Sequence, residues 1–100
     1  QIYLVLKGGY SVLATPGGEL HFFTLGNPGM ATAGAGDVLT GILTGLLAQG
    51  YDAFTAARLG ICLHSMAGDI AAEATGQESL LAADIIAYLG KAFQALKGIP

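Results

Sequence analysis

The sequence predicts a layered α/β fold, and three observations support this prediction. Short apolar strand-like segments fill the first 25 residues, and helical periodicity takes over from Asp37 onward. Hydrophobic residues make up 53% of the chain and charged residues only 11%. Because helices that follow strands commonly cover a sheet, we expect about three strands followed by three helices. At 100 residues the chain is one domain or the C-terminal portion of one.

Three strands are predicted in order. Residues 2–6 form an uninterrupted apolar run, which is typical of a strand buried on both faces. Residues 11–15 and 20–25 follow, and the Pro16-Gly17-Gly18 segment between them suits a tight hairpin. A fully apolar first strand needs a neighbour on each edge, so we expect further strands on its N-terminal side.

Three helices are predicted after the strands. The first carries apolar residues at helical spacing from Val38 to Leu47 and ends at Gly50, a residue type that commonly closes a helix. The second covers roughly residues 53–74 and ends near Gly76, and the third covers roughly residues 82–96. Each places large apolar side chains on one stripe, which is expected to face the core.

Charge and length exclude several classes of function. The formal net charge is −3, which argues against a nucleic-acid partner because such proteins need a cationic surface. Residues 38–51 are the longest apolar stretch, and they fall short of the roughly 20 residues that span a membrane. No basic leader precedes the first strand, so we expect a cytoplasmic protein. The low charge also predicts that a homo-oligomer partner, or the remainder of a longer chain, covers part of the surface.

The segment from Gly26 to Gly41 carries the predicted chemistry. Glycines at 26, 29, 34 and 36 precede a helix, where small residues let a ligand approach the backbone and let N–H groups point into one concavity. The pattern fits neither a P-loop nor a Rossmann turn. Residues 8–57 contain no lysine or arginine, so backbone amides and metal must hold any phosphate bound here.

Asp37 stands at the start of this helix and has two interpretations. An acid in the first helical turn can simply stabilise the helix N-terminus. Alternatively, Asp37 is a general base for a substrate hydroxyl, while the amides of Ala35, Gly36 and Asp37 neutralise charge on a transferred phosphoryl group. The four preceding glycines favour the catalytic interpretation.

Residues 27–41, Asn-Pro-Gly-Met-Ala-Thr-Ala-Gly-Ala-Gly-Asp-Val-Leu-Thr-Gly, resemble the signature of the ADP/ATP-dependent NAD(P)H-hydrate dehydratases, members of the ribokinase-like superfamily. The upstream Leu6-Lys7-Gly8-Gly9 segment is similar to their nucleotide-binding strand end, and the helix around residues 57–71 is similar to theirs as well. The Gly-Ala-Gly-Asp run alone would indicate only a ribokinase-like kinase, and the preceding Asn-Pro-Gly-Met-Ala-Thr run separates this family from sugar and vitamin kinases. The resemblance implies that residues 1–100 are the C-terminal portion of a ribokinase-like domain.

The resemblance also implies a function. The family repairs hydrated NADH or NADPH, NAD(P)HX, by phosphorylating its ring hydroxyl with ADP or ATP, and loss of the phosphate restores NAD(P)H. Asp37 would contact the hydrate and act as the base, and Mg²⁺ is the expected counter-ion. The implied nucleotide-binding residues are Lys7, Gly8, Gly9, Tyr10, Ser11, Asn27, Pro28, Gly29, Met30, Ala31, Thr32, Ala33, Gly34, Ala35 and Gly36.

Two alternative functions stay open on the sequence. A ribokinase-like small-molecule kinase would form a stable phosphoester, and a non-catalytic module would bind nucleotide without turnover. The remaining singular residues are given structural roles: a buried inert thiol for Cys62, a surface position for His21, and helix packing or a capping contact for His64 and Asp69. Gly41 and Gly45 are expected to allow close helix packing.

Overall fold

A computed structural model describes residues 4–7, 11–23, 26–30 and 32–97 of the chain. Three strands, β1 (Leu4–Lys7), β2 (Ser11–Ala14) and β3 (Leu20–Phe23), form an antiparallel sheet in the order β1-β2-β3. Four helices follow: α1 (Ala35–Ala48), α2 (Ala53–Thr75), α3 (Ala82–Ala87) and α4 (Leu89–Lys97). The predicted α/β class is therefore confirmed.

The hairpin between β2 and β3 forms as the sequence predicts. Gly18 adopts a φ of 89°, and its N–H donates to the Thr15 carbonyl at 3.0 Å. The turn fixes the register in which Leu13 pairs with His21. Leu13 is fully buried and packs with Ala57 and Ile61 of α2. The sheet is thereby attached to the helical layer through its central strand.

The first two helices begin and end close to the predicted residues. Gly50 follows α1 with a φ of 97°, and Gly76 follows α2 with a φ of 89°. The Asp52 carboxylate accepts the Thr55 N–H at 2.8 Å and so caps the start of α2. Among the described residues, no helix has the length and apolarity needed to cross a bilayer.

Helix α2 lies at the centre of the helical layer and packs against α1, α3, α4 and β2. The predicted stripe of large apolar side chains on this helix faces the core: Leu63 is fully buried, and its partly buried members Leu59, Met66 and Ile70 pack against the core cluster. Small residues occupy most of the other buried positions, among them Ala56, Ala67 and Ala71. Because neighbours surround α2 on several sides, small side chains let their backbones approach.

The third predicted helix is two helices, which corrects the prediction of a single one. Tyr88 separates α3 from α4 and has non-helical angles of φ −99° and ψ 4°. Gly90 stands two residues after Tyr88 and lowers the helix propensity of this segment. The Tyr88 N–H still donates to the Asp84 carbonyl, and the Tyr88 carbonyl accepts the Ala92 N–H, both at 3.1 Å, so helical hydrogen bonding continues on either side of the break.

Three assignments of single residues need correction. His21 is half-buried and packs edge-to-face on Phe54 with a centroid distance of 5.2 Å, so it is not a simple surface residue. Cys62 is only half-buried and lies beside Arg58 in a shallow groove. Gly41 and Gly45 are exposed, and within the described part of the chain nothing packs on them. The first strand was predicted to be buried on both faces. This prediction is not tested, because the burial of residues 2–6 lies outside what the structure describes.

Candidate functional site

The sheet brings two of the predicted nucleotide-binding segments to one end. Lys7 pairs with Ser11, and Ser11 pairs with Phe23, so β1 ends, β2 begins and β3 ends at the same side of the sheet. Lys7, Ser11 and Phe23 therefore lie side by side at this end of the sheet. Gly8, Gly9 and Tyr10 lie outside the described residues.

Residues 26–36, which we call the glycine loop, connect this end of the sheet to α1. The loop contains a short 3-10 helix, Pro28–Met30, and Ala31 is its one position outside the described residues. Gly26 and Gly34 have φ angles of 107° and 88°, in the left-handed region that favours glycine. Two of the four glycines are thus required by the backbone shape of the loop.

The other two glycines differ in their surroundings. A Cβ atom on Gly29 would lie 2.5 Å from the Gln77 carbonyl oxygen, so this position must be glycine for internal packing. A Cβ atom on Gly36 would meet nothing within 4 Å among the described residues. Only Gly36 combines a bare backbone with open space, which is what close approach of a ligand requires.

The first turn of α1 presents N–H groups that lack protein acceptors. Its N-cap, Gly34, provides no side-chain cap. The sequence predicted that the Ala35 N–H binds a phosphate. In the structure this N–H donates to the Thr32 carbonyl at 3.2 Å instead, so it is not available for that role. In the described ranges, the N–H groups of Gly36 and Asp37 have no acceptor. Two open amides at a helix N-terminus form a site with partial positive charge for an anion.

Asp37 lies in the same turn as these two amides, and its side chain is exposed. Within the described part of the chain, its carboxylate forms no hydrogen bond or ion pair, so it does not cap its own helix. Asp37 also stands at the edge of a cavity of about 500 Å³. The remaining lining comes from α1, α3 and α4 and is largely apolar: Val38, Gly41, Ile42, Gly45, Leu46, Gln49, Ile86, Leu89 and Phe93.

The start of the glycine loop is bound to α2 through Asp69. The Gly26 N–H donates to Asp69 Oδ2 at 3.0 Å, and Asn27 Nδ2 donates to Asp69 Oδ1 at 2.9 Å. Asn27 Nδ2 also donates to the Gly68 carbonyl at 3.2 Å. We had expected Asn27 to bind nucleotide, but its side-chain amide is engaged inside the protein.

The end of the loop is bound to α2 through His64. This imidazole is fully buried, and its Nε2 lies 2.9 Å from the carbonyl oxygen of Ala35, the first residue of α1. A carbonyl oxygen can only accept, so Nε2 carries the proton of this bond. The burial of His64 agrees with the packing role predicted for it, whereas Asp69 caps no helix among the described residues and instead accepts hydrogen bonds from the loop.

Met30 is the second loop residue whose side chain faces inward. Only 8% of its surface is exposed, and it packs so closely on Gly68 that a Cβ atom there would lie 2.2 Å from the Met30 sulfur. The thioether is therefore a core group, so any contact of Met30 with a nucleotide would be made by its backbone. Thr32, Ala33 and Gly34 remain partly or fully exposed beside Gly36.

Comparison with known proteins places this loop in a family. Residues 1–91 match the carbohydrate-kinase-type family described as NAD(P)H-hydrate dehydratase. A bifunctional NAD(P)H-hydrate repair enzyme of Thermofilum pendens is 48% identical over 97 residues, which are 97% of this chain and 18% of that protein. An ADP-dependent (S)-NAD(P)H-hydrate dehydratase of Neisseria meningitidis is 47% identical over 83 residues, 82% of this chain and 28% of that protein.

A solved structure agrees with the sequence matches. The ADP/ATP-dependent NAD(P)H-hydrate dehydratase of Bacillus subtilis, co-crystallised with ATP and Mg²⁺, superposes with a TM-score of 0.87 at 29% identity. The superposition covers 93% of this chain and 34% of that one. The chain thus spans about a third or less of each of these proteins, and the ribokinase-like fold class is confirmed for the part it covers.

Proposed function

The chain belongs to the NAD(P)H-hydrate dehydratase family, and on that premise we propose that it forms the C-terminal portion of an enzyme that converts NAD(P)HX to NAD(P)H with ADP or ATP. The observation that carries this proposal is that, among the described residues, the Gly36 and Asp37 amides have no acceptor and the adjacent Asp37 carboxylate has no partner. Phosphoryl transfer needs such a combination, because one group must hold the phosphate and another must accept a proton.

The phosphate is proposed to lie against the first turn of α1. The amides of Gly36 and Asp37 would donate to its oxygens, and the helix dipole adds about half a positive charge at this end. The residues from 8 to 57 provide no cationic side chain, so the backbone must supply this stabilisation. Lys7 and Ser11 lie at the end of the sheet next to Phe23, after which the chain continues to the glycine loop, and this placement supports putting the rest of the nucleotide there.

Asp37 is proposed to act as the general base. Its carboxylate would take the proton of the ring hydroxyl while the hydroxyl oxygen forms a bond to the terminal phosphorus of the donor. The bond from that phosphorus to the leaving nucleotide breaks, which releases AMP from ADP or ADP from ATP. Loss of phosphate and of a ring proton then restores the double bond of NAD(P)H.

Mg²⁺ fits this site only as a partner of the nucleotide. Among the described residues no group of three His, Cys, Asp or Glu side chains could hold a metal ion. Mg²⁺ commonly keeps several waters and binds through substrate phosphates, so the phosphates of the donor would hold it here and Asp37 would stay free to act as the base. When bound, the ion would neutralise part of the phosphate charge.

The proposal extends to the surroundings of the enzyme. NAD(P)HX and ADP or ATP are intracellular metabolites, so a cytoplasmic location follows from the proposed reaction. The apolar cavity beside α1, with Phe93 42% and Ile86 56% exposed, supports the expectation that further chain or another copy covers this face. Light scattering of the native polypeptide would distinguish a second copy from a longer chain.

The test uses the native polypeptide that contains these 100 residues. Given hydrated NADH, ADP or ATP, and Mg²⁺, it should restore the near-ultraviolet absorbance of reduced nicotinamide. Asp37→Asn should lower kcat about 100-fold or more, as expected for loss of a general base, and leave calorimetric nucleotide affinity unchanged or tighter. Glu73→Gln is the matched control, because it removes one exposed carboxylate from α2 and should retain full activity.

Three outcomes would contradict parts of the proposal. Substantial activity of Asp37→Asn would reject the base assignment. Stable phosphorylation of a substrate without recovery of reduced nicotinamide would indicate a small-molecule kinase, and nucleotide binding without any turnover would indicate a binding module.

A further inference from the structure

We propose that Asp69 and His64 are positioning residues of the reaction, because together they fix both ends of the glycine loop on α2. Asp69 holds the entry of the loop at Gly26 and Asn27, and His64 holds its exit at Ala35. Neither residue would touch a substrate. This inference rests on the proposed function, since it assigns a role to residues that locate the open amides and Asp37.

Asp69 is suited to this role because both carboxylate oxygens are used by consecutive loop residues. One oxygen accepts a backbone N–H and the other accepts a side-chain amide, at 3.0 and 2.9 Å. The residue is half-buried, and in the described ranges it forms no ion pair. A partly buried charge without a cationic partner requires strong hydrogen bonds, and those of Asp69 lead to the loop.

An asparagine could not replace this carboxylate. Its amide has one acceptor oxygen, and its NH₂ group would face either the Gly26 N–H or the Asn27 NH₂ group. One donor would then oppose another donor. The geometry therefore requires an acidic residue at position 69, whereas a purely space-filling role would accept the isosteric amide.

His64 fixes the other end at a position that matters for chemistry. Ala35 precedes Asp37 by two residues in the same helical turn, so a displacement of the Ala35 carbonyl moves the Gly36 and Asp37 amides with it. Five residues separate His64 from Asp69, or about 7.5 Å along the axis of α2. One helix of 23 residues thus sets the distance between the two loop ends.

The loop between these anchors also rests on α2. Met30 packs on Gly68, and a Cβ atom on Gly26 would lie 3.9 Å from the Ser65 side chain. The face of α2 from His64 to Asp69 therefore supports the loop along its length. This helix segment is also the one whose sequence resembles the family beyond the glycine loop.

The first test replaces Asp69 in the native polypeptide. Asp69→Asn should weaken ADP binding measured by calorimetry, and lower kcat/KM for hydrated NADH, by roughly tenfold or more, the effect expected for loss of a hydrogen bond to a charged group. Both measurements are made well below the unfolding temperature, with the circular dichroism spectrum as a check on folding. Glu73→Gln, one turn further along α2, is the control and should leave both quantities unchanged.

A purely structural role predicts a different result. It would lower the unfolding temperature of Asp69→Asn while the folded protein retained the ADP affinity and kcat/KM of the wild type, and that outcome would overturn the proposal. If Asp69→Asn does not fold, Asn27→Ala provides the same test from the loop side, because it removes one of the two donors. Normal ADP affinity in a folded Asn27→Ala protein would likewise overturn it.

The second test concerns His64 and uses rescue. Gln places its amide nitrogen near the position of His Nε2, so His64→Gln should retain a donor to the Ala35 carbonyl, whereas His64→Leu removes it. We expect His64→Gln to keep more of the wild-type kcat/KM than His64→Leu by roughly tenfold. Equal losses in the two folded variants would reject the hydrogen bond as the positioning element.

Amide hydrogen exchange separates this inference from the proposed function. Exchange at residues 32–37 should accelerate in Asp69→Asn and in His64→Leu but not in Glu73→Gln, whether or not the protein acts on hydrated NADH. Wild-type inactivity would reject the proposed function alone. Unchanged exchange at residues 32–37 would reject the anchoring by α2.

Discussion

Substitution of Gly36 by alanine should separate stability from nucleotide binding. Gly36 lies in the first turn of α1, its φ is not positive, and a Cβ atom there would meet nothing among the described residues. Alanine in a helix is more stable than glycine by about 0.5–1 kcal/mol, so Gly36→Ala should raise Tm by roughly 1–4 °C in a polypeptide of its relatives' size. The same methyl group would occupy the space in which the proposed phosphate approaches the Gly36 amide.

The expected loss in affinity follows from that one contact. A hydrogen bond to a charged group contributes about 1.5–3 kcal/mol, which corresponds to roughly a 10-fold to 100-fold increase in the Kd for ADP. Thermal unfolding followed by circular dichroism and calorimetric titration with ADP and Mg²⁺ measure the two quantities on the same native polypeptide. The two effects should have opposite signs, which general damage to the fold cannot produce.

Gly90→Ala is the matched control for this prediction. Gly90 is exposed in the first turn of α4, and its added Cβ atom would also meet nothing within 4 Å. It should raise Tm in the same way and leave the Kd for ADP unchanged. Wild-type ADP affinity in Gly36→Ala would show that no phosphate lies against the first turn of α1.

Two further predictions concern stability. Gly29→Ala should lower the free energy of unfolding, measured in urea, by about 1–3 kcal/mol, because the added methyl group would collide with the Gln77 backbone. Gly17→Ala is the control and should be nearly neutral, because its added Cβ atom would make only an ordinary contact of 3.9 Å. Equal effects of the two substitutions would contradict the packing argument. The hydrogen bonds from Thr55 to the N-cap residue Asp52 lower the pKa of its carboxyl below the ordinary value of 3.8. These hydrogen bonds therefore stabilise the fold fully at pH values above 3.8, and this stabilisation is lost as the pH falls through the lowered pKa of Asp52. Urea unfolding between pH 6 and pH 2 should therefore show a smaller acid loss for Asp52→Asn than for wild type, and identical pH profiles would reject this role.

The order of elements could be predicted because each has a local signal. Gly18, Gly50 and Gly76 end or turn the chain in the left-handed conformation, and the sequence shows where they stand. The division of the last helix was missed because Tyr88 carries no local signal for a break. The apolar stripe of α2 was predicted, but the burial of its small residues, such as Ala56 and Ala71, was missed because it depends on neighbours on several sides, whereas a single-stripe prediction assumes one.

In the candidate site, too, features with a local sequence signal could be predicted and features set by tertiary contacts could not. Asp37 and the glycines were found from local pattern, since a bare backbone before a helix is visible in sequence. That Asn27 and Met30 face inward was not visible, because the partners that decide it, Asp69 and Gly68, lie about 40 residues away along the chain. Sequence identifies which residues form the loop, and tertiary contacts decide which of their faces meet a ligand.

Because the proposed phosphate site consists of backbone N–H groups and not of basic side chains, it responds differently to substitution and to chemical modification. A lysine that binds phosphate loses its charge through substitution or acetylation, whereas the N–H groups of Gly36 and Asp37 are retained with every side chain except that of proline. Chemical modification of amines should therefore leave the first turn of α1 intact as an anion site. Evolution can abolish that part of the site only by reshaping the main chain or by filling the space in front of it.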